Sequence, residues 1–185
     1  VAPNPDRAYF TRNEFIGAMF TTDSEPAGHG FETPDARGWY RIWPAPGIRL
    51  IGLNTSDHPA PLPTGIYEAG CISDEQSDFL RRELADAAQH GEWVIVASHH
   101  PSQILEMLHG SALGPEQCRA LLNDYPNVIL HLTGHLHRNR VADRGGYVEI
   151  ETCSTLDPPQ EARVVEIWRD TADDSLIIRY YMFSH

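Results

Sequence analysis

No apolar run in the 185 residues is long enough to cross a bilayer, so no membrane span is expected. Basic residues are scarce: 14 Lys and Arg stand against 26 Asp and Glu, for a net charge of −12. Without a basic stripe to neutralise a phosphate backbone, general nucleic-acid binding is excluded. A small phosphorylated substrate is not, because a bound cation reverses the local field. Cysteine is rare too: Cys71, Cys118 and Cys153 are scattered, with no Cys-x-x-Cys, and read as unpaired thiols. The opening VAPNPDRAYFTRNEF lacks the pattern of a signal or transit peptide. It starts on Val1 rather than Met, and the expectation is a piece of a longer chain, of unknown localisation. There is no internal repeat and no low-complexity segment.

What is present describes one globular domain: 41% hydrophobic and 22% charged residues in a chain long enough to bury a core. NEFIGAMF suggests a short helix, followed by a Pro-, Gly- and Asp-rich loop over 21–38. WYRIW and GIRLIGLNT read as strands on either side of the turn PAPG, and a second Pro-rich loop runs over 56–70. The clearest helix is SDEQSDFLRRELADAAQHG. Ser73 can cap it, with Gln76 completing a capping box, and Phe79, Leu80, Leu84 and Ala87 or Ala88 form its apolar face. EWVIVASHHP and NVILHLTGH are short unbroken apolar runs of the kind found in strands covered on both faces, separated by the helix GPEQCRALLNDYP with Pro115 at its first position. The middle of the chain is therefore α/β in grammar. The tail differs: GGYVEIETCST, EARVVEIWRD and SLIIRYYMFSH read as an antiparallel meander. Trp39, Trp43, Trp93 and Trp168 are assigned to core and sheet packing.

Two successive buried strands end in histidines, one in SHHP (His99, His100) and the next in TGHLH (His135, His137). In open α/β sheets, functional groups gather beyond the carboxyl ends of the strands, so neighbouring strands would bring these imidazoles to one rim. Neutral imidazole is the commonest protein metal ligand near neutral pH. Gly134 is expected to provide the tight turn before the paired ligands. His131 lies within its strand and reads as a hydrogen-bonded group in the core or behind the ligands. His29, His58, His90, His109 and His185 read as ordinary capped or solvated residues.

VIVASHHP followed by ILHLTGHLHRN resembles the last two signature blocks of the calcineurin-like metallophosphoesterases, most closely in Gly-His-x-His. The resemblance is firm over about residues 48–160. It implies an αββα sandwich with a mixed sheet and a late antiparallel meander, and metal-dependent hydrolysis of a phosphoester by a hydroxide activated between two metal ions. It implies further that His99 and His135 bind one ion and that His137 reaches the other. His100 and Asn139 would stand against the substrate or behind the ligands, with Ser102 and Arg138 near enough to bond a phosphate. Iron, manganese and zinc all suit imidazole.

The family's earlier blocks, Asp-x-His, Gly-Asp and Gly-Asn-His, do not occur; SDHP sets Asp57 directly beside His58. With them go the bridging aspartate, the asparagine ligand and the catalytic histidine, so no catalytic residue is assigned. The expectation is that residues 1–185 form the C-terminal portion of a longer metallophosphoesterase domain, inactive alone, holding one ion or none where the full-length enzyme holds two. Sheet surfaces left uncovered would then favour a homo-oligomer. The competing reading is a non-catalytic metal-binding or assembly module that keeps only the histidines. An amidohydrolase-type barrel is set aside, because its paired histidines come early and it takes about 250 residues. The Pro-rich loops at 21–38 and 56–70 are candidates for substrate recognition.

Overall fold

Val94, Ile95 and Val96 are apolar on both sides of their strand because both sides are covered. The computed structural model describes residues 11–33, 37–56, 69–107, 110–173 and 175–184. In chain order it holds α1 (Arg12–Met19), β1 (Tyr40–Ala45), β2 (Ile48–Leu53), α2 (Asp74–Gln89), β3 (Trp93–Ser98), α3 (Pro115–Asn123), β4 (Val128–Thr133), β5 (Arg140–Asp143), β6 (Val148–Glu151), β7 (Glu161–Arg169) and β8 (Leu176–Ser184). Six strands form one sheet in the order β1-β2-β3-β4-β6-β5. β2, β3, β4 and β6 run parallel, with antiparallel β1 and β5 at the edges. One face packs against α2 and α3 through Ile51, Val94, Val96 and Val128, which meet Leu80, Leu84, Leu121 and Leu122. The other face packs its Ile95, Ile129, Leu130 and Ile150 against Val165, Ile167, Leu176 and Ile178 of the β7–β8 hairpin. Fully burying each such side chain stabilises the fold by about 1.5–3 kcal/mol.

The mixed sheet and the antiparallel tail are thus observed, but the tail is divided. β6 joins the large sheet parallel to β4, pairing antiparallel with β5, a strand the sequence reading passed over because RVAD has no apolar run. Among the described residues, the second sheet consists of β7 and β8.

Ser73 caps α2 as expected, its side chain accepting from the Gln76 N–H. The capping box does not form. The buried Gln76 side chain instead accepts from the Asn54 N–H (2.7 Å) and donates to the Asn54 carbonyl (3.1 Å), clamping the end of β2 to the helix. Two backbone groups that would otherwise be stranded in the interior outcompete the exposed helix N-terminus. A reciprocal box is present on α1, between Thr11 and Glu14. Ala87, not Ala88, completes the apolar face of α2.

Two tryptophans depart from the packing role. Trp43 is 51% exposed on edge strand β1, where it covers the Arg49 guanidinium and donates to Glu92. Trp168 is 55% exposed on the outer face of the hairpin, next to Arg179. Trp39 and Trp93 do pack against the two cores. The three cysteines are buried, with no disulfide among them. Asp57, His58, His109, His185 and most of the 56–70 loop lie outside the described residues.

The β3–β4 register decides what reaches the rim. It runs from Val94↔Val128 to Ile95↔Leu130, so Ile129 is an extra residue, a β-bulge. Ile129 and Leu130 consequently enter the same core, and the rest of β4 is re-aimed by one position. His131 thereby pairs with Val96 on the helix-covered face.

Candidate metal centre

β3 and β4 end side by side, and the turns beyond them are tied together where the Gly134 N–H donates to the His99 carbonyl (3.0 Å). Nδ1 of His135 then lies 3.0 Å from Nε2 of His99. His100 closes the group, its ring centroid 4.9 Å from that of His99 and 4.4 Å from that of His135. One ring nitrogen from each of the three lies within 4.8 Å of the other two. A tetrahedral ion with metal–nitrogen bonds of about 2.0–2.1 Å sets its ligands about 3.4 Å apart, so small side-chain adjustments suffice to enclose one ion.

Each imidazole is held differently. The buried His100 sits with Nδ1 2.8 Å from Thr55 Oγ1, and its backbone N–H donates to the same oxygen (3.2 Å), which fixes the orientation of the ring. Gly70 backs it so closely that a Cβ there would lie 2.7 Å from His100 Cβ. His99 is exposed; partial burial first, then His135 and His137, push its pKa below the usual imidazole value and favour the neutral, ligating form. His135 (φ +70°) and His137 (φ +49°) themselves occupy the left-handed region, at a cost of about 1–3 kcal/mol each. Gly134 was expected to make this turn, but it does not adopt that conformation, and a Cβ on it would meet only ordinary contacts, the Thr152 oxygen at 3.7 Å and the His99 oxygen at 3.9 Å.

His137 is not in the trio. Its Nδ1 lies 3.0 Å from the Asp157 carboxylate. It does line the same cavity, about 290 Å³, together with His99, His135 and residues 152–156. Asn139 gives its amide to Glu161 and accepts from the Cys153 N–H, which pins the 134–139 turn to the start of β7. Arg138 pairs with the buried Glu151. Ser102 is buried rather than on the surface, with its N–H donating to Glu149. His131 is buried between Ser98 and Glu149. Burial opposes the Glu149 charge, but hydrogen bonds from His131, Ser102 and Arg144 outweigh it and hold the carboxyl well below its ordinary pKa.

Sequence reasoning ranked His137 above His100, although the His-His doublet offered both neighbours equally. It missed Thr55, Ser98, Glu149 and Asp157. For Glu149 and Glu151 a signal existed: VEIE puts both on one face of a strand whose surroundings are apolar.

A family model for calcineurin-like phosphoesterases matches residues 8–139, well over half of the chain and extending upstream of the region expected from the motifs. No curated protein matches the chain. Among solved structures, a Staphylococcus aureus protein assigned as a 5'-nucleotidase superposes with a TM-score of 0.50 at 17% identity, over 80% of this chain and 29% of that one. A dimetal phosphatase from Danio rerio gives 0.46 at 20% identity over 61% and 48%, and GAP50, the anchor in the inner membrane complex of Plasmodium, gives 0.44 at 18% over 63% and 37%. The chain thus spans less than half of each of these relatives, and the likeness is one of fold.

Proposed function

Because the chain belongs to the calcineurin-like phosphoesterase family, we propose that it carries the histidine half of a metal centre for phosphoester hydrolysis. The observation that carries this is the 3.0 Å approach of His135 Nδ1 to His99 Nε2, with His100 within reach of both. At that distance the neutral pair shares one N–H···N hydrogen bond, which an ion between the two nitrogens would replace. The donor set fits one ion bound through His99, His100 and His135, with iron, manganese and zinc all compatible. It does not fit two: among the described residues no carboxylate joins the cluster to bridge a second cation. His137, across the cavity beside Asp157, would serve a second ion once a bridging carboxylate is supplied.

A bound ion supplies Lewis acidity toward a phosphoryl oxygen. The chain's own residues bind and orient it. Thr55 fixes the His100 ring, the Gly134–His99 hydrogen bond locks the two turns, and the 152–156 segment walls the cavity in which a small phosphorylated substrate would lie. Co²⁺ titration of this chain is expected to give one equivalent of a nitrogen-ligated visible spectrum, with little 4-nitrophenyl phosphate hydrolysis. No binding, or turnover like that of complete family enzymes, would overturn the proposal. That no carboxylate joins the trio among the described residues also favours the second reading, a module that binds a metal without catalysis.

Self-association belongs to the same proposal. The outer face of β7–β8 leaves Trp168 and Ile177 exposed as a cross-strand pair and Tyr181 and Phe183 exposed as neighbours along β8, with Glu166 and Arg179 between the two groups. Sedimentation is expected to show a dimer that Tyr181→Glu dissociates; a strictly monomeric parent chain would count against it.

A further inference from the structure

Beneath the histidine trio lies a buried network that metal binding, as proposed above, does not itself use. Ser98, the last residue of β3, donates its hydroxyl to the His100 carbonyl (2.8 Å), and the same oxygen lies 2.8 Å from His131 Nε2. On the other side of the ring, Nδ1 is 3.1 Å from Glu149 Oε2. Glu149 is 3% exposed and held at both oxygens: Arg144 donates to Oε1 (2.6 Å), and the backbone N–H of Ser102 donates to Oε2 (3.2 Å). One carboxylate therefore grips both ends of the five-residue segment 98–102, directly at Ser102 and through His131 at Ser98. The two residues between those anchors that carry imidazoles are His99 and His100.

This arrangement is improbable as ordinary core packing. A charged carboxylate and an imidazole placed between β4 and the helices displace apolar contacts and carry a desolvation cost that a hydrocarbon pair would avoid. The β4 bulge at Ile129 is what puts His131 on the same face as Ser98 and directly across from Glu149. Outer hydrogen-bond partners that orient metal-ligating side chains commonly change affinity by about ten- to hundredfold. We propose that His131 is a positioning residue: with Glu149 it clamps the 98–102 segment, so that His99 and His100 are presented to the ion together with His135. The proposal rests on the reading of the trio as a metal site, but the clamp itself exists without metal.

The test uses Ser98→Ala and His131→Gln, with Ser98→Thr as the variant that keeps the hydroxyl and Arg49→Lys, at the opposite end of the sheet, as a destabilised control away from the network. In the metal-free protein, hydrogen exchange at the His100 and Gly134 amides is expected to accelerate in Ser98→Ala and His131→Gln relative to the amides of Val94–Val96. It should remain at the parent level in Ser98→Thr and in Arg49→Lys. Co²⁺ affinity should fall about tenfold or more in the first two variants and stay near parental in the other two. Parental exchange at both amides in Ser98→Ala and His131→Gln overturns the clamp, whatever the metal affinity. So does Ser98→Thr behaving like Ser98→Ala. If the parent chain binds no Co²⁺ while the exchange pattern is as expected, the clamp stands and the metal reading falls.

Discussion

Replacing His99 or His135 with alanine is expected to lower the affinity for Co²⁺ or Zn²⁺ by more than about a hundredfold, beyond what outer partners are usually worth. These two nitrogens face each other at 3.0 Å, and removing either leaves a pair that cannot enclose an ion. His100→Ala should cost nearly as much and His137→Ala far less, because His137 is turned toward Asp157 and lies outside the trio. The order of these four losses, read by calorimetric titration, separates the observed cluster from the pattern expected on motif grounds, in which His137 outranks His100. Binding should strengthen as pH rises, since each ligand must shed a proton. His99, with its lowered pKa, remains available to lower pH than an ordinary imidazole. Equal losses at all four positions would refute the trio.

A different loss is expected at the opposite end of the sheet. Arg49 is 2% exposed, and its guanidinium reaches Glu83 at 2.8 Å, Asp86 at 2.6 Å and Glu92 at 2.6 Å beneath the Trp43 ring. Arg49→Ala leaves the largely buried Glu92 without a counter-charge and Glu83 with Arg41 alone (3.3 Å), and should cost about 3–5 kcal/mol. Arg49→Lys should recover only part of this, because a single ammonium cannot reproduce a fork shared among three carboxylates. Urea unfolding followed by tryptophan fluorescence would show it as a lowered midpoint at unchanged slope. Metal affinity of the folded variant should be that of the parent, since Arg49 is at the start of β2 and the trio lies beyond the far ends of β3 and β4. A shift below about 1 kcal/mol would mean that the three carboxylates find other partners or water.

The two cases mark what could be read from the chain alone. VIVAS and VILHLT announced buried parallel strands because successive apolar residues leave neither face of the strand suited to water, and the histidines behind them announced a rim. The choice between His100 and His137 was not legible. It depends on Thr55 and Gly70, which arrive from distant segments to hold one ring, and on Asp157, which claims the other. Gln76 was read correctly as a residue of the first helical turn and wrongly as a box partner, since its side chain answers to Asn54, 22 positions away. The polar role of His131 was legible; its partners were not, because strand alternation counted without the bulge puts it on the wrong face.

That extra residue in β4 has a consequence for how the strand tolerates change. Swapping Ile129 for another aliphatic alters only the fit of one side chain. Deleting it leaves Val128 and Leu130 opposite Val94 and Ile95 in regular pairing and keeps His131 on the helix-covered face, whereas deleting a residue beyond it, such as Leu132, would drag the Gly134–Asn139 turn back along β3. In this protein the length of one strand, more than the identity of any residue in it, sets where the imidazoles of the two turns meet.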